Sequence, residues 1–299
     1  MPRRGFTLLE MLVVLALLAA LTIVAVQSLE PVAQQSRATA TQRAIDELRA
    51  ALLSVQQSGG QTVVSGFVAD LGRLPDLSSP QALYNDLMLG GGLPPAQNFT
   101  ITTGTSGATA TVAAGWRGPY LRTAITSTHL VDGWGRALLV GVEDGTFDAL
   151  TDRVSIASGG NPATSAGAVG SFVTAAALSA SQLTVRLYGI DAQGHRLALT
   201  GTGSAALHGG IDSQTSGLLT TTVAAQPSGT DLTCTFLPQL PQLLVGPRVL
   251  TVDFTPTTTT TSVVTYPQTM NVNLLPGAMQ TIDVLVARDV GGTVTTTTP

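Results

Sequence analysis

Residues 3–10 of the chain read Arg3-Arg4-Gly5-Phe6-Thr7-Leu8-Leu9-Glu10, and a long apolar run follows them directly. Over residues 6–26 the only polar side chains are those of Thr7, Glu10 and Thr22. An α-helix of about twenty residues covers roughly 30 Å, the thickness of the hydrocarbon part of a bilayer. The stretch therefore predicts a transmembrane helix over residues 6–26. Because a carboxylate in lipid is costly, Glu10 is expected to have a functional partner.

Three interpretations of this stretch compete. It can be a plain membrane anchor, with Arg3 and Arg4 holding the amino terminus in the cytoplasm. It can also be a secretory signal peptide with a loose small-residue cleavage site at residues 24–26. Against a signal peptide, the apolar run is long, contains an acid and leads without a break into a second helical pattern. The third interpretation is a resemblance to a known family.

Residues 5–14, Gly5-Phe6-Thr7-Leu8-Leu9-Glu10-Met11-Leu12-Val13-Val14, resemble the processing site of type IV prepilins and type II secretion pseudopilins. The resemblance implies that prepilin peptidase cuts after Gly5 and methylates the new terminal Phe6, so that residues 1–5 form a leader. It also implies that Glu10 contacts a neighbouring subunit during fibre assembly. The implied partners are prepilin peptidase, other pilin-like subunits, the inner-membrane assembly platform and membrane lipid.

The residue chemistry agrees with such processing. Gly5 has no side chain, so a protease can close on the backbone at that point. Once the chain is cut, the positive α-amine of Phe6 lies one helical turn from Glu10. The carboxylate can then neutralise its own amine or that of a neighbouring subunit.

Beyond residue 26 the apolar pattern becomes amphipathic, with apolar residues at three- and four-residue steps. The pattern predicts one helix over residues 6–58, ended by Gly59-Gly60. Pro31 removes a backbone donor, which predicts a kink near residues 27–30. The members of the apolar stripe are Ala33, Ala40, Ala44, Ile45, Leu48, Leu52 and Val55.

Residues 59–165 are expected to form an α+β head, with a short helix over residues 79–89 and strands over residues 137–142 and 153–157. Two blocks, Gly118-Pro119-Tyr120-Leu121 and Asp132-Gly133-Trp134-Gly135, are similar to blocks in the head of the major type II secretion pseudopilin. Gly133 stands where that family has Pro. We interpret Trp116, Tyr120 and Trp134 as core and turn packing, since large aromatic residues are natural core anchors.

The resemblance also raises the question of calcium, which the major pseudopilin binds in its C-terminal loop. The corresponding turn here, residues 157–161, lacks the expected Asp after its glycines. Asp144, Asp148 and Asp152 lie just upstream as candidate ligands, but calcium normally takes six to eight oxygens. We expect no metal and no other cofactor.

The Gly-, Ala- and Ser-rich residues 166–180 are typical of a linker. Alternating apolar and polar residues over 181–290 then predict a small antiparallel β-sandwich, which loosely resembles the transthyretin-like sandwich. Cys234 is expected to be a buried residue on a strand, because a single cysteine has no internal disulfide partner. Residues 291–299 are expected to be a disordered tail.

Composition argues against several functions. The net charge is −4, and the 14 basic residues, all Arg, are scattered, so we expect no nucleic-acid partner. His129, His195 and His208 are isolated, and no Gly-x-Ser-x-Gly elbow or phosphate-binding loop is present. We therefore expect that the protein is not an enzyme.

The sequence thus predicts an α+β protein: a long amino-terminal helix packed on a small antiparallel β-sheet head, followed by an all-β, sandwich-like C-terminal domain. The function predicted by the resemblance is a structural subunit of a type II secretion pseudopilus. It would reside in the bacterial inner membrane with a single span, its amino terminus in the cytoplasm and its head in the periplasm. The alternatives are a minor type IV pilus subunit and a membrane-tethered β-sandwich that binds carbohydrate or protein.

Overall fold

A computed structural model describes residues 8–103, 108–122, 128–142, 152–160, 168–211, 217–237, 243–257, 263–266 and 268–289. Only the backbone is described for residues 24–28, 103, 108, 263 and 264. The predicted processing residues Gly5 and Phe6, the candidate ligands Asp144 and Asp148, and the tail 291–299 lie outside the described residues.

The amino-terminal helix, α1, runs from Leu8 to Leu52 and is helical across Pro31. The prediction that it continues to residue 58 is wrong. Strands β1 (Ser54–Ser58) and β2 (Gln61–Ser65) form an antiparallel hairpin after it. Gly59 and Gly60, at φ 59° and 80°, form the two-residue turn of this hairpin instead of a helix C-cap, since Ser58 pairs with Gln61.

The head follows this hairpin. The predicted short helix is confirmed as α3 with a π-helical turn at Asn85–Leu89, and the Ser79 hydroxyl caps α3 by accepting from the Ala82 N–H at 3.1 Å. Strands β3 and β4 form a hairpin, and β5, β6 and β7 form an antiparallel sheet in that order. The elements are α2 (Phe67–Leu71), α3 (Pro80–Tyr84), β3 (Gln97–Thr103), β4 (Ala108–Ala114), β5 (Leu139–Val142), β6 (Arg153–Ser158), β7 (Val169–Thr174) and α4 (Ala175–Leu178).

The head core forms around the last third of α1. Thr41, Ile45, Leu48 and Leu52 recur at three- and four-residue steps, and each is fully buried. They face a cluster that includes Phe67, Leu71, Tyr84, Leu87, Val154 and Ile156. Full burial of each large apolar side chain is worth about 1.5–3 kcal/mol, so this stripe fixes the head to one end of the helix.

Part of the predicted linker is regular structure. β7 pairs with β6 along its whole length, with Val154 opposite Val173. α4 then buries Ala175 and Leu178 completely. The linker prediction failed here because small, uncharged residues are as compatible with an edge strand as with a flexible connection.

The C-terminal region is a two-sheet sandwich, and within the described residues from 181 onward every regular element is a strand. One sheet has the order β11-β10-β14-β16, and the other has β12-β13-β8-β17-β15, with β9 paired to β8. The prediction of a wholly antiparallel sandwich is wrong, because β8 and β17 are parallel. The strands are β8 (Gln182–Ile190), β9 (Arg196–Leu197), β10 (Gly201–Ile211), β11 (Leu218–Ala224), β12 (Gln226–Ser228), β13 (Asp231–Phe236), β14 (Gly246–Pro256), β15 (Val263–Thr265), β16 (Gln268–Leu274) and β17 (Met279–Asp289).

The sandwich has its own apolar core. Leu183, Val185 and Leu187 on β8 are fully buried, as their alternation predicts. Cys234 on β13 is also fully buried, which confirms that prediction, and its burial raises the pKa of the thiol to about 11. The α+β architecture inferred from the sequence, with its long helix, sheet-containing head and sandwich-like C-terminal domain, is therefore confirmed.

Candidate functional site: the exposed half of the amino-terminal helix

The described first turns of α1 project away from the head. Every side chain from residue 8 to residue 23 is exposed, and most of them are apolar. The large apolar ones have between 47% (Val14) and 85% (Leu8) of their surface exposed. A soluble monomer rarely exposes so large a continuous apolar surface, so this half of α1 is a surface for lipid or for other helices.

Glu10 lies in the first turn of α1 and is exposed on this apolar half. The prediction that it pairs with the amine of Phe6 cannot be followed in the structure, because residues 1–7 lie outside the described part. Among the described residues, no helix contains a stretch both long enough and apolar enough to cross a membrane.

The turn at residues 132–136 holds the head against the last third of α1, at Thr41. The buried carboxylate of Asp132 accepts from the N–H groups of Trp134 and Arg136, at 2.9 and 2.8 Å, and from the Ser158 hydroxyl at 2.6 Å. With the turn fixed in this way, the N–H of Gly133 donates to the Thr41 hydroxyl of α1 at 2.9 Å. The position of the exposed helix relative to the head is thereby set.

The three aromatic residues noted in the sequence have packing roles, as predicted. Trp116 and Tyr120 pack against the head core with their rings edge to face, and their centroids lie 6.2 Å apart. The Trp116 indole N–H donates to the Asp86 carbonyl oxygen at 2.8 Å. Trp134 is half-buried in the turn that contacts α1.

A second group of polar residues lies where the head meets the sandwich. The carboxylate of Asp70 accepts from the Tyr120 hydroxyl at 3.0 Å and forms an ion pair with Arg117 at 3.4 Å. Burial raises the pKa of Asp70, while the hydrogen bond from Tyr120 and the charges of Arg117 and Arg248 oppose that rise. Beside this group is an open cleft of about 470 Å³, lined by residues of β4, β14 and β16.

The candidate calcium ligands are only partly placed. Asp152 is buried at the start of β6, while Asp144 and Asp148 lie outside the described part of the chain. Within the residues that the structure describes, no three His, Cys, Asp or Glu side chains come together as a metal site. The absence of a metal stays a prediction.

Comparison with known proteins bears on the amino-terminal segment. Residues 1–26 match the family described as the prokaryotic N-terminal methylation motif. No curated protein matches the chain significantly. Among solved structures, the chain is similar to GBS52, the minor pilin of the Gram-positive pathogen Streptococcus agalactiae, at 12% identity over 82% of this chain and 92% of that one. The TM-score of 0.26 is too low for that likeness to support an argument.

The match over residues 1–26 shows a type IV pilin-like prepilin signal. Such a signal implies processing by prepilin peptidase and a pilin-like mode of assembly from the membrane. The chain thus carries, at its amino terminus, the N-methylation motif that is typical of pilin-like subunits.

The sequence pattern did not predict a role for two residues that are important in the structure. Arg248 falls within the apolar β14 pattern, and it is almost fully buried. Asp70 lies in the short helix α2 and contacts residues 47 and 50 positions away. The only sequence feature that could have indicated a role for Arg248 is its position as a single Arg among the apolar residues of a strand, in a chain with few charges.

Proposed function

We propose that this chain is a structural subunit of a type II secretion pseudopilus, assembled through its amino-terminal helix. The observation that carries the proposal is the N-methylation motif at residues 1–26, within which the described first turns of α1 expose mostly apolar side chains. The blocks around Tyr120 and Trp134, which resemble the major pseudopilin head, favour the pseudopilus within the pilin-like class.

The proposed life cycle follows from the charge and hydropathy of the segment. Arg3 and Arg4 keep the amino terminus in the cytoplasm, and residues 6–26 span the inner membrane. Prepilin peptidase cuts after Gly5 and methylates Phe6, while the head and sandwich lie in the periplasm. On assembly, the neighbouring helices replace lipid around the apolar half of α1, and Glu10 contacts the amine of a neighbour.

In this proposal the protein works by assembly and not by catalysis. The histidines support this, since two of them have structural partners. His208 contacts the hydroxyls of Thr220 and Thr251, at 3.0 and 2.8 Å. His195 contacts Asp191 in the same turn at 3.2 Å. Both histidines therefore have partners within the fold, which agrees with an assembly role.

Mass spectrometry of the membrane-extracted protein tests the processing step. The expected chain starts at N-methyl-Phe6. A Gly5→Leu variant is the matched control and should remain uncut, because a side chain at that position blocks approach of the protease. A mature terminus at Gln27, or an intact Met1 in the wild type, would contradict the proposal.

A minor subunit of a type IV pilus is the alternative within the class. The sandwich favours this alternative, since a domain of more than a hundred residues beyond the head limits how closely identical subunits can pack. A deletion strain separates the two. Loss of protein secretion with intact pili supports the pseudopilus, and loss of pili with intact secretion supports the minor pilin. A deletion that affects neither would favour a membrane-tethered binding protein.

A further inference from the structure

The side chain of Arg248 crosses from the sandwich into the head. Arg248 lies on β14 and has only 4% of its surface exposed. One guanidinium nitrogen donates to the carbonyl oxygen of Ala69 in α2, at 3.0 Å, and to that of Pro247, at 2.9 Å. The other donates to the carbonyl oxygens of Leu244 and Val245, at 3.0 and 3.2 Å. The planar guanidinium therefore ties one main-chain acceptor of α2 to three acceptors of β14 and the segment directly before it.

The charge of this buried group is balanced from the head side. Burial lowers the pKa of Arg248 to about 10, and the carboxylate of Asp70 opposes that fall, so Arg248 stays charged at neutral pH. Asp70 is held in place by Tyr120 and Arg117 of the head. Replacing Arg248 with an apolar residue removes a buried donor from four main-chain carbonyl oxygens, and burying acceptors without their donor is destabilising.

Around Arg248 the main chain of the sandwich lies directly against the main chain of α2. A Cβ atom added to Gly246 would lie 2.7 Å from the carbonyl oxygen of Ala69. One added to Gly210 would lie 2.7 Å from the carbonyl oxygen of Leu71. At such distances no side chains separate the sandwich from α2. The sandwich therefore cannot slide over this helix.

A further contact lies on the strand next to Arg248, where Asn273 of β16 pairs with Pro247 and reaches the hairpin that follows α1. The Asn273 side-chain amide of β16 donates to the Thr62 carbonyl oxygen of β2 at 2.8 Å. The sandwich thus contacts both α2 and the hairpin that follows α1.

We infer that Arg248 is a latch that locks the C-terminal sandwich to the head, so that the two units move and unfold as one body. The sandwich is then a rigid extension of the head and not a tethered module. This inference does not depend on which fibre the subunit enters, because it concerns the described residues of one chain.

The chain contains natural probes for the two units. Its two tryptophans, Trp116 and Trp134, lie in the head, and its single cysteine, Cys234, lies in the sandwich core. Urea titration of the detergent-extracted full-length protein can therefore follow head unfolding by tryptophan fluorescence and sandwich unfolding by thiol labelling of Cys234. In the wild type the two midpoints should coincide.

Arg248→Met tests the latch, since Met keeps an apolar stem and removes every donor. The two midpoints should separate by roughly 1 M urea or more, because the carbonyl oxygens at the junction lose their buried donor. Arg196→Met is the matched control. Arg196 is an exposed sandwich arginine paired with Asp231 at 2.8 Å, and its loss should leave the midpoints coincident.

Coincident midpoints in Arg248→Met, or separate midpoints in the wild type, would overturn the inference. If Arg248→Met does not accumulate as a folded protein, Arg248→Lys decides the question. Lysine keeps the charge and loses the forked donors. Separate midpoints in that variant support the latch, and coincident ones overturn it.

Discussion

The hydroxyl of Thr41 in α1 accepts a hydrogen bond from the backbone N–H of Gly133 at 2.9 Å, and it donates its own proton to the Arg37 carbonyl oxygen at 3.0 Å. This pair joins the helix to the turn at residues 132–136. A Cβ atom on Gly133 would overlap the carbonyl oxygen of Arg37, so the turn approaches the main chain of α1 as closely as a residue without a side chain allows. A Pro at this position would lack the N–H donor.

Substitution of Gly133 should therefore destabilise the attachment of the head to α1. We expect Gly133→Ala to lower the free energy of unfolding by about 1–3 kcal/mol, because the added methyl group forces the turn away from Arg37. Gly133→Pro should cost more, since Thr41 also loses its donor. The measurement is urea unfolding of the detergent-extracted protein, followed by tryptophan fluorescence.

Gly141→Ala on β5 is the matched control for this experiment. Nothing lies within 4 Å of a Cβ atom at Gly141, so this variant should be as stable as the wild type or slightly more so. Equal stability of Gly133→Ala and Gly141→Ala would show that the turn tolerates the change and that the close approach is unimportant.

His208 should make the stability of the sandwich depend on pH. It is buried between Thr220 and Thr251, and its burial lowers the pKa of the imidazole below the ordinary value of 6.5. In the unfolded chain the ring takes up a proton near pH 6.5, while in the folded protein it does so only at lower pH. Stability from this group is therefore present above pH 6.5 and is lost as the pH falls below that value.

Urea midpoints measured by Cys234 labelling between pH 7.5 and 5 check this expectation. His208→Gln removes the titrating group and should flatten the fall in stability over that range. His195→Gln, a change at a side chain with 79% of its surface exposed, should keep the dependence of the wild type. A fall in stability of the same size in His208→Gln would assign the effect to another group.

Calcium should leave the stability of the protein almost unchanged. Asp152 is buried, and in the described residues it is not accompanied by a set of side chains that could complete a metal site. Melting with calcium and then with a chelator should give nearly the same midpoint. Binding at a hundredfold excess over the dissociation constant would add about 2.7 kcal/mol, so a large shift would show that Asp144, Asp148 or Asp152 supplies ligands.

The sequence predicted the elements whose pattern is local. The apolar steps of α1, the alternation on β8 and the capped helix at residues 79–89 are each visible within a short window. The hairpin at residues 54–65 was missed because Gly59-Gly60 is equally typical of a helix end and of a tight turn. The strand at residues 169–174 was missed because it contains a glycine and its composition is that of a linker.

Contacts between distant parts of the chain could not be predicted from such local patterns. The hydrogen bond from the Arg248 side chain to the Ala69 carbonyl oxygen joins residues 179 positions apart, and neither residue belongs to a recognisable motif. The parallel pairing of β8 with β17 likewise connects the two ends of the sandwich. Such relationships are decided by how whole sheets pack, so they become visible only in the folded structure.

The last prediction concerns Glu10 and the assembly step. An acid in the middle of a membrane helix costs roughly 2.5–3.5 kcal/mol on insertion, and the cost is smaller near the membrane edge. Glu10→Leu should therefore insert at least as well as the wild type. Cleavage after Gly5 should also proceed, because the acid lies beyond the bond that is cut. Fibre formation or secretion should fail, since the amine of a neighbouring Phe6 would be buried without its counter-charge.

Membrane level, cleavage and fibre formation or secretion are compared between Glu10→Leu and the wild type. Glu30→Leu provides the matched control, since it removes another exposed acid of the same helix outside the apolar half. The control should be inserted, cut and assembled, because Glu30 lies five turns or more from the amine of Phe6 along the helix. If Glu10→Leu is inserted, cut and assembled as well as this control, the carboxylate is not the assembly contact, and the apolar surface of α1 alone must set the register between subunits.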